Sequence, residues 1–507
     1  MKWMPPETAR DQLVLFKERL DDVIGPDHSV RWLVHILDKI DWAEWEASYS
    51  QQGAGRPPIH PKVLASVILY GLLVRIRSSR QLEEALTMRV DFLWLAEGRK
   101  IDHSTICIFR RAHPEKLKSL FVQLGLVARS AGLMNLKELA FDGTKIRSNN
   151  RRSAKEKTEN LRELREELQN KYDEFVEQAE ALDSETLQKE TEQTTAPSSL
   201  ESRLNGIDRA LETLEQLEEE GKSIPNRLPT TDTDSRVTLN KEGGFGPNYT
   251  PTAAVDTETG LIASADVISG SNEKAALPPA LDQIKKDFDA VPERLLADGI
   301  FNHGTNLAEM ERRDIELYSP VKEFENNPAI RDDITQTVPE ENWGDLPTTT
   351  KNKKTQLDKA AFIYDKKNDI YRCPMGEALE YKSTSTKKNA DGTMNEIRKY
   401  LSSEAKCHGC PLLELCHPDS KKRQVGRDQY EELRNRLAVK MSTTQGQEIY
   451  ARRMGPGERP FAVIKHIMGA RQFLMRGLAR VKQEWLWLTT AFNLKRLMAL
   501  LPRPAPN

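Results

Sequence analysis

Three acidic residues far apart in the chain occupy positions suited to chemistry. Asp142 closes the apolar run LKELAFDG, Asp298 closes RLLADG, and Glu458 follows the break MGPG and opens a late basic helix. Strands of one sheet end side by side, so distance along the sequence does not keep such residues apart. Three carboxylates offer oxygen ligands to a hard cation such as Mg²⁺ and leave positions for a phosphate and an attacking water or hydroxyl, a geometry that serves in-line phosphodiester cleavage. Taken alone, Asp142-Gly143 and Asp298-Gly299 read equally as turn or capping pairs, the commoner use of that dipeptide. Asp256, in AAVDTETG, is another carboxylate at a strand end and reads as a hairpin turn residue.

Basic residues accompany the acids. Tyr450 and Arg453 precede Glu458 in YARRMGPGERPFAVIK, and Lys465 lies two helical turns beyond it, on the same side. A guanidinium has the bidentate geometry that suits a phosphate or a flanking carboxylate. Lys145, Arg147, Arg151 and Arg152 follow Asp142 directly and would set positive charge beside a scissile phosphate. Arg75, Arg77, Arg80, Arg110 and Arg111 could hold DNA phosphates or be an ordinary charged helix surface, and no base readout is assigned to them. The histidines have no metal spacing; His303, five residues past Asp298, is at best a neighbour of that site.

Cys373 and the run Cys407-x2-Cys410-x5-Cys416 gather four of the five cysteines into one region. Four thiolates at this spacing suit a tetrahedral structural Zn²⁺, with plain reduced thiols as the alternative.

The elements that must position these residues follow from periodicity. At 507 residues the chain calls for two or three domains. Residues 1–130 recur at helical spacing, as in VLASVILYGLLVRI, with Pro57, Pro58 and Pro61 at the entry, and read as an all-helical domain, with the arginines above as its candidate DNA-binding contacts. An α/β core is expected over 131–320 and 427–500, where the alternating runs of YTPTAAVDTETGLIASADVIS, the helical ALPPALDQIKKDF and the apolar RLLADGIF give strand, strand, helix, strand. Within it, 153–222 is an acidic helical hairpin stepping through Leu161, Leu164, Leu168, Tyr172 and Phe175, then Leu204, Ile207, Leu211 and Leu214, turning through TTAPSS. Residues 320–426 are polar and read as a β-rich, cysteine-containing insertion. EWLWLTTAFNLKRLMALL reads as a helix with one broad apolar face.

Charge is segregated along the chain. The formal net charge is only -2, with 75 basic and 77 acidic residues, yet 154–222 is strongly acidic and 450–482 strongly basic. No window holds eighteen uninterrupted apolar residues, and MKWMPPETARDQ lacks a secretory core, so a cytoplasmic, nucleoid-associated location and no membrane partner are expected.

YARRMGPGERPFAVIK resembles the Tyr-x2-Arg-x4-Glu-x6-Lys signature of bacterial insertion-sequence DDE transposases, carried here by Tyr450, Arg453, Glu458 and Lys465. The likeness continues through Gly469, Arg471, Phe473, Arg476, Gly477 and Asn493-Leu494. LAFDGTKIRSNN and LLADGIFNHGTNL are similar to the strands carrying the family's first and second aspartates, although Gly299 stands where many relatives have Lys. HPKVLASVILYGLLVRIRSSRQLEEAL resembles the helical domain that precedes the core. The resemblance implies a ribonuclease-H-like α/β core with Asp142, Asp298 and Glu458 as catalytic ligands of two Mg²⁺ or Mn²⁺ ions. It further implies DNA contacts from Tyr450, Arg453, Lys465, Lys145, Arg147, Arg471 and Arg476. Metal-dependent cleavage and strand transfer at terminal inverted repeats and target DNA are then expected, in a synaptic complex of two or more copies. The alternatives are a catalytically inactive, domesticated DNA-binding protein and a coiled-coil scaffold.

Overall fold

The computed structural model describes residues 20–49, 57–150, 155–181, 197–221, 224–240, 243–270, 273–321, 336–351, 354–388 and 394–503. Arg151, Arg152 and the first half of the TTAPSS turn, 194–196, lie outside them. The chain divides into two compact units. One comprises the described parts of 1–133 with Val463–Gly469 and of 486–507; the other comprises Met134–Ala462 and Ala470–Trp485.

The first unit is helical, as expected for 20–130. Its centre is α1 (Pro61–Leu73), whose N-terminus is fixed by Pro61 at the first turn and by the His60 ring, which accepts from the Lys62 amide at 3.1 Å. Almost every residue of α1 is buried, so this is an interior helix rather than an amphipathic one. Around it pack helices Ser29–Leu37, Ser79–Met88, Val90–Leu95 and His103–Ala112. Two of the arginines considered as phosphate contacts are tied into the fold. Arg77 donates to the Gly469 carbonyl at 2.9 Å, and Arg110 donates to the Arg77 carbonyl at 2.7 Å.

The second unit is built on a seven-stranded sheet. Its first strand, β1 (Glu138–Gly143), pairs antiparallel with β2 (Phe245–Asp256), which pairs antiparallel with β3 (Ile262–Ile268). On its other side β1 runs parallel to β4 (Arg294–Ala297), and β4 runs parallel to β5 (Glu316–Tyr318). In spatial order these five strands are therefore third, second, first, fourth, fifth, and two short strands, Ile146–Arg147 and Arg236–Leu239, pair antiparallel with the first part of β2 to complete the seven. The alternation of YTPTAAVD suggested a half-buried strand, but β2 is buried on both faces from Gly246 to Asp256. Both crossovers between parallel strands are helical, through α2 (Leu277–Phe288) and α3 (Gly304–Arg312).

Between β1 and β2 the chain leaves the sheet as two packed helices, Leu161–Ala181 and Pro197–Glu219, whose stepped leucines form a core of Leu161, Leu168, Leu204, Ile207 and Leu214. Between β5 and the late helices lies the β-rich insertion, a five-stranded antiparallel sheet from Ile363 to Asp428 with its own core around Phe362, Tyr371, Leu379 and Tyr400. Among the described residues no helix is long and apolar enough to cross a membrane.

Two C-terminal features differ from expectation. Residues 463–469 and those from 486 onward group with the helical unit instead of the sheet unit. The closing helix, Leu478–Leu500, buries Trp485, Leu488, Thr489, Thr490, Ala491 and Asn493, so its middle, 483–494, is covered on all sides rather than on one face, while Arg480, Lys482 and Lys495 near its ends are exposed. Its N-terminus is held by Asp232, which accepts from the Gly477 amide, and by Asp234, which accepts from the Leu478 amide at 2.7 Å.

Gly304 opens α3 because nothing larger fits. A Cβ there would lie 2.2 to 2.7 Å from the ring and Cβ of Tyr430. Gly304→Ala is therefore expected to cost about 1–3 kcal/mol through overpacking, read as a lowered urea midpoint.

Candidate active site

The register of β1 and β4 brings the first two acids together. Phe141 lies opposite Ala297 on parallel strands, so Asp142 and Asp298, the next residue of each, end side by side. Hydrophobic contacts fix this geometry. Leu139, Ala140 and Phe141 are buried on β1, Leu295, Leu296 and Ala297 on β4, and the Phe141 ring meets Phe301 edge-on at 5.0 Å just beyond Asp298. Each aspartate also accepts from the amide of the glycine that follows it, at 2.8 Å for Asp142 and 2.6 Å for Asp298.

The two carboxylates have different surroundings. Asp142 is largely buried, and burial pushes its carboxyl above the ordinary carboxylate range; the nearby Arg453 guanidinium opposes this, while the charges of Asp298 and Glu273 add to it. Asp298 is exposed and borders a cavity of about 800 Å³ that is also lined by Lys274, His303, Lys359, Asp428 and Arg434. Lys359 and Arg434 are themselves paired with Glu431, at 2.6 and 2.9 Å, so that wall carries fixed charge of both signs.

The signature segment lies along β1. Helix α4 (Thr444–Ala451) inserts Ile449 against Leu296 and Tyr318, with Tyr450 packed at the edge of that cluster. Past the helix, Arg452 reaches Glu138 at 3.4 Å, near the start of β1, and Arg453 reaches Asp142 at 3.1 Å, near its end. Gly457 packs so closely that a Cβ would meet Ala140 at 3.5 Å and the Arg453 carbonyl at 3.0 Å. The Tyr450 hydroxyl is raised by burial, with Asp298 and Asp142 contributing and Arg453 opposing. The structure thus gathers Tyr450, Arg453, Asp142 and Asp298. Arg453 also keeps a buried Nε–H with no hydrogen-bond partner.

Glu458 is exposed one residue past Gly457, and its carboxylate has no ion-pair partner among the described residues. The helix it was expected to open is a single turn, Arg459–Ala462, which widens into a π-turn over Val463–Ile467 carrying Lys465. That π-turn groups with the helical unit. Arg147 and the segment around Gln472 form a short bridge, with Phe473 donating to the Arg147 carbonyl at 2.9 Å. Arg471 and Arg476 flank this bridge and are exposed, and Arg476 is fastened through the Asn149 carbonyl at 3.0 Å. Lys145 lies beside Asp142, bonded to Glu273.

Asp256 is a turn residue. Its carboxylate accepts from the Glu258 and Thr259 amides and the Thr259 hydroxyl in the β2–β3 connection. Glu273 is the residue that sequence reasoning missed. It stands in the short turn Glu273–Ala276 before α2, within SNEKAA, where no periodicity or spacing marks it.

In the insertion, Cys373, Cys407, Cys410 and Cys416 all line one cavity of about 40 Å³. All are free thiols, and burial pushes Cys416 up to about 12. Among the described residues no group of three Asp, Glu, His or Cys side chains is arranged to hold a metal ion. Donor type suits a hard cation at Asp142 and Asp298 and a soft one at the four thiols, but at neither place is a cage already formed.

Arg453→Ala should leave the Asp142 carboxylate buried without its cation. The expected cost is about 2–4 kcal/mol at pH 7, read by chemical denaturation. The cost should shrink as pH falls through the range in which Asp142 takes up a proton and no longer needs the guanidinium.

Two families match the chain. A transposase DDE domain matches residues 372–498, which include Glu458 and the whole signature but not Asp142 or Asp298. A transposase domain, DUF772, matches residues 18–112, within the helical unit. The chain matches no curated protein. A transposase family is thus matched in each half of the chain, and the two matches together support an insertion-sequence DDE transposase.

Proposed function

We propose that the chain cleaves DNA at the ends of its own insertion sequence and joins those ends to target DNA, with Asp142, Asp298 and Glu458 as the ligands of divalent Mg²⁺ or Mn²⁺. The observation that carries this reading is the pair of aspartates ending neighbouring parallel strands, with Arg453 and Tyr450 of the signature packed over them. The strand order third, second, first, fourth, fifth, with the first three mutually antiparallel and the last two parallel to the first, supports a ribonuclease-H-like core. The two transposase matches support DNA as the partner.

Divalent ions bound there supply Lewis-acid activation of the phosphate and of the attacking oxygen. The chain supplies the rest. Asp142 and Asp298 present oxygens from a rigid sheet edge, so their positions do not depend on loop ordering. Arg453 holds Asp142 in place and has an Nε–H left to give, which suits a phosphate oxygen arriving with the DNA. Lys145, Arg147, Arg471 and Arg476 line the approach to the end of β1, and Lys465 reaches DNA from its π-turn. Assembly of two or more copies at paired element ends, in the nucleoid, completes the proposal.

The thiols of Cys373, Cys407, Cys410 and Cys416 are proposed to take a structural Zn²⁺, supported by the single small cavity they share. Binding would draw the sulfurs inward. Elemental analysis should find about one zinc per chain, lost in Cys407→Ser; protein purified without zinc and equally stable in chelator would leave them as reduced thiols.

The test of activity is nicking of an end-labelled duplex spanning the border of the element that carries the gene. Cutting is expected only with Mg²⁺ or Mn²⁺, and to vanish in Asp298→Asn while the duplex is still bound. Cutting that persists in Asp298→Asn would remove that residue from the site.

A further inference from the structure

Beside Asp142 stands an ion pair that the activity above leaves unexplained. The Lys145 ammonium donates to Glu273 Oε1 at 2.7 Å and to the Thr250 hydroxyl at 2.7 Å. Thr250 in turn donates its own proton to the Gly270 carbonyl at 3.0 Å, so its oxygen lone pairs face the lysine. A lysine held at two points has one orientation. An ammonium carries three N–H donors and no acceptor, and these two partners engage two of them.

Glu273 packs closely against the chain after Asp142. Its second oxygen, Oε2, lies 2.6 Å from where a Cβ on residue 143 would stand, and its carboxyl carbon 3.1 Å from that point. Gly143 does not have a positive φ, so its backbone does not require glycine. The Glu273 carboxylate occupies the space that a Cβ at residue 143 would enter, so any larger residue there would displace it from this position directly after Asp142. The pair is also mostly shielded, with side chains 20 % and 14 % exposed for Lys145 and Glu273. A shielded ion pair adds little net stability, since desolvation offsets much of the attraction. Stability alone is thus a weak reason for building it. The same turn also reaches the second aspartate, because Lys274, the next residue, lines the cavity bordered by Asp298.

We propose that Glu273 is a positioning residue that holds Lys145 so that its remaining N–H meets a phosphate oxygen of the DNA strand lying against Asp142. This rests on the reading of Asp142 as part of the active site. Glu273 does not touch the DNA; it removes the rotamer freedom that would otherwise have to be frozen as the strand docks.

The experiment uses the full chain and the end-labelled border duplex, measuring binding and single-turnover nicking separately for Lys145→Ala, Glu273→Gln, the double variant and Asp142→Asn. Lys145→Ala should weaken binding and flatten its salt dependence by about one phosphate contact. Glu273→Gln keeps the lysine charge, so the duplex dissociation constant should change by less than about twofold while nicking slows about tenfold or more. Because Glu273 works only through Lys145, adding Glu273→Gln to Lys145→Ala should cost nothing further. Glu273→Asp, which keeps the charge with a shorter reach, should recover part of the lost rate and guards against a folding defect in the Gln variant. Losses that multiply in the double variant, or wild-type nicking by Glu273→Gln beside an inactive Asp142→Asn, would overturn the proposal alone. An active Asp142→Asn would instead overturn the site on which it rests.

Discussion

Asp142→Asn is expected to lose at least about 1000-fold in strand cleavage and, in metal-free buffer at pH 7, to unfold at a higher temperature than the wild-type chain. The two effects share one cause. Burial raises the Asp142 carboxyl above its ordinary value even with Arg453 beside it. A carboxyl whose folded value lies above its unfolded value is one whose charge the fold disfavours. Stability is then highest below the unfolded carboxylate range and declines as pH rises toward the folded value, so the penalty is larger at pH 7 than at pH 4. Asparagine mimics the protonated carboxyl and removes the penalty, an expected gain of about 0.5–2 kcal/mol. Differential scanning calorimetry in chelator at pH 7 and pH 4 checks the sign: the gain should be largest at pH 7 and should fade at pH 4. A destabilised variant would mean that the Asp142–Arg453 pair outweighs the burial.

Glu458→Gln is expected to cost about as much activity, at least roughly 100-fold, with a quite different thermodynamic signature. Its carboxylate is exposed and has no ion-pair partner among the described residues, so stability should stay within about 0.5 kcal/mol of wild type. A neutral side chain of the same shape removes one ligand charge and nothing else. Strand-transfer assays on pre-cut ends isolate this loss from end recognition. Wild-type joining by Glu458→Gln would remove Glu458 from the ligand set and leave the two strand-end aspartates to act with some other group.

Much of this site was legible before any coordinates. The apolar runs LKELAF and RLLA are short, bounded by glycine and end in an acid, and both became interior strands whose next residue is an aspartate at the sheet edge. The stepped leucines of 161–214 and the short strands of the insertion were equally plain, because helical and alternating periods survive wherever an element buries one face. Elements covered on all sides lose that signal. The closing helix looked one-faced because its threonines and Asn493 read as polar surface, yet they are buried. Glu273 had no signal at all: its role comes from a turn that meets residue 143 across 130 positions of sequence, and only the bare glycine hints that something must come close. Lys465 was read by counting helical turns from Glu458, a count that the π-turn at Val463–Ile467 breaks.

The most direct test of the central claim is iron-mediated backbone cleavage, in which Fe²⁺ replaces the native cation and peroxide with ascorbate cuts the chain near wherever it binds. Cuts next to Asp142 and Asp298, joined by one near Glu458 and all suppressed by excess Mg²⁺, are the expected result. Cuts elsewhere that Mg²⁺ suppresses, with the ends of β1 and β4 intact, would contradict it.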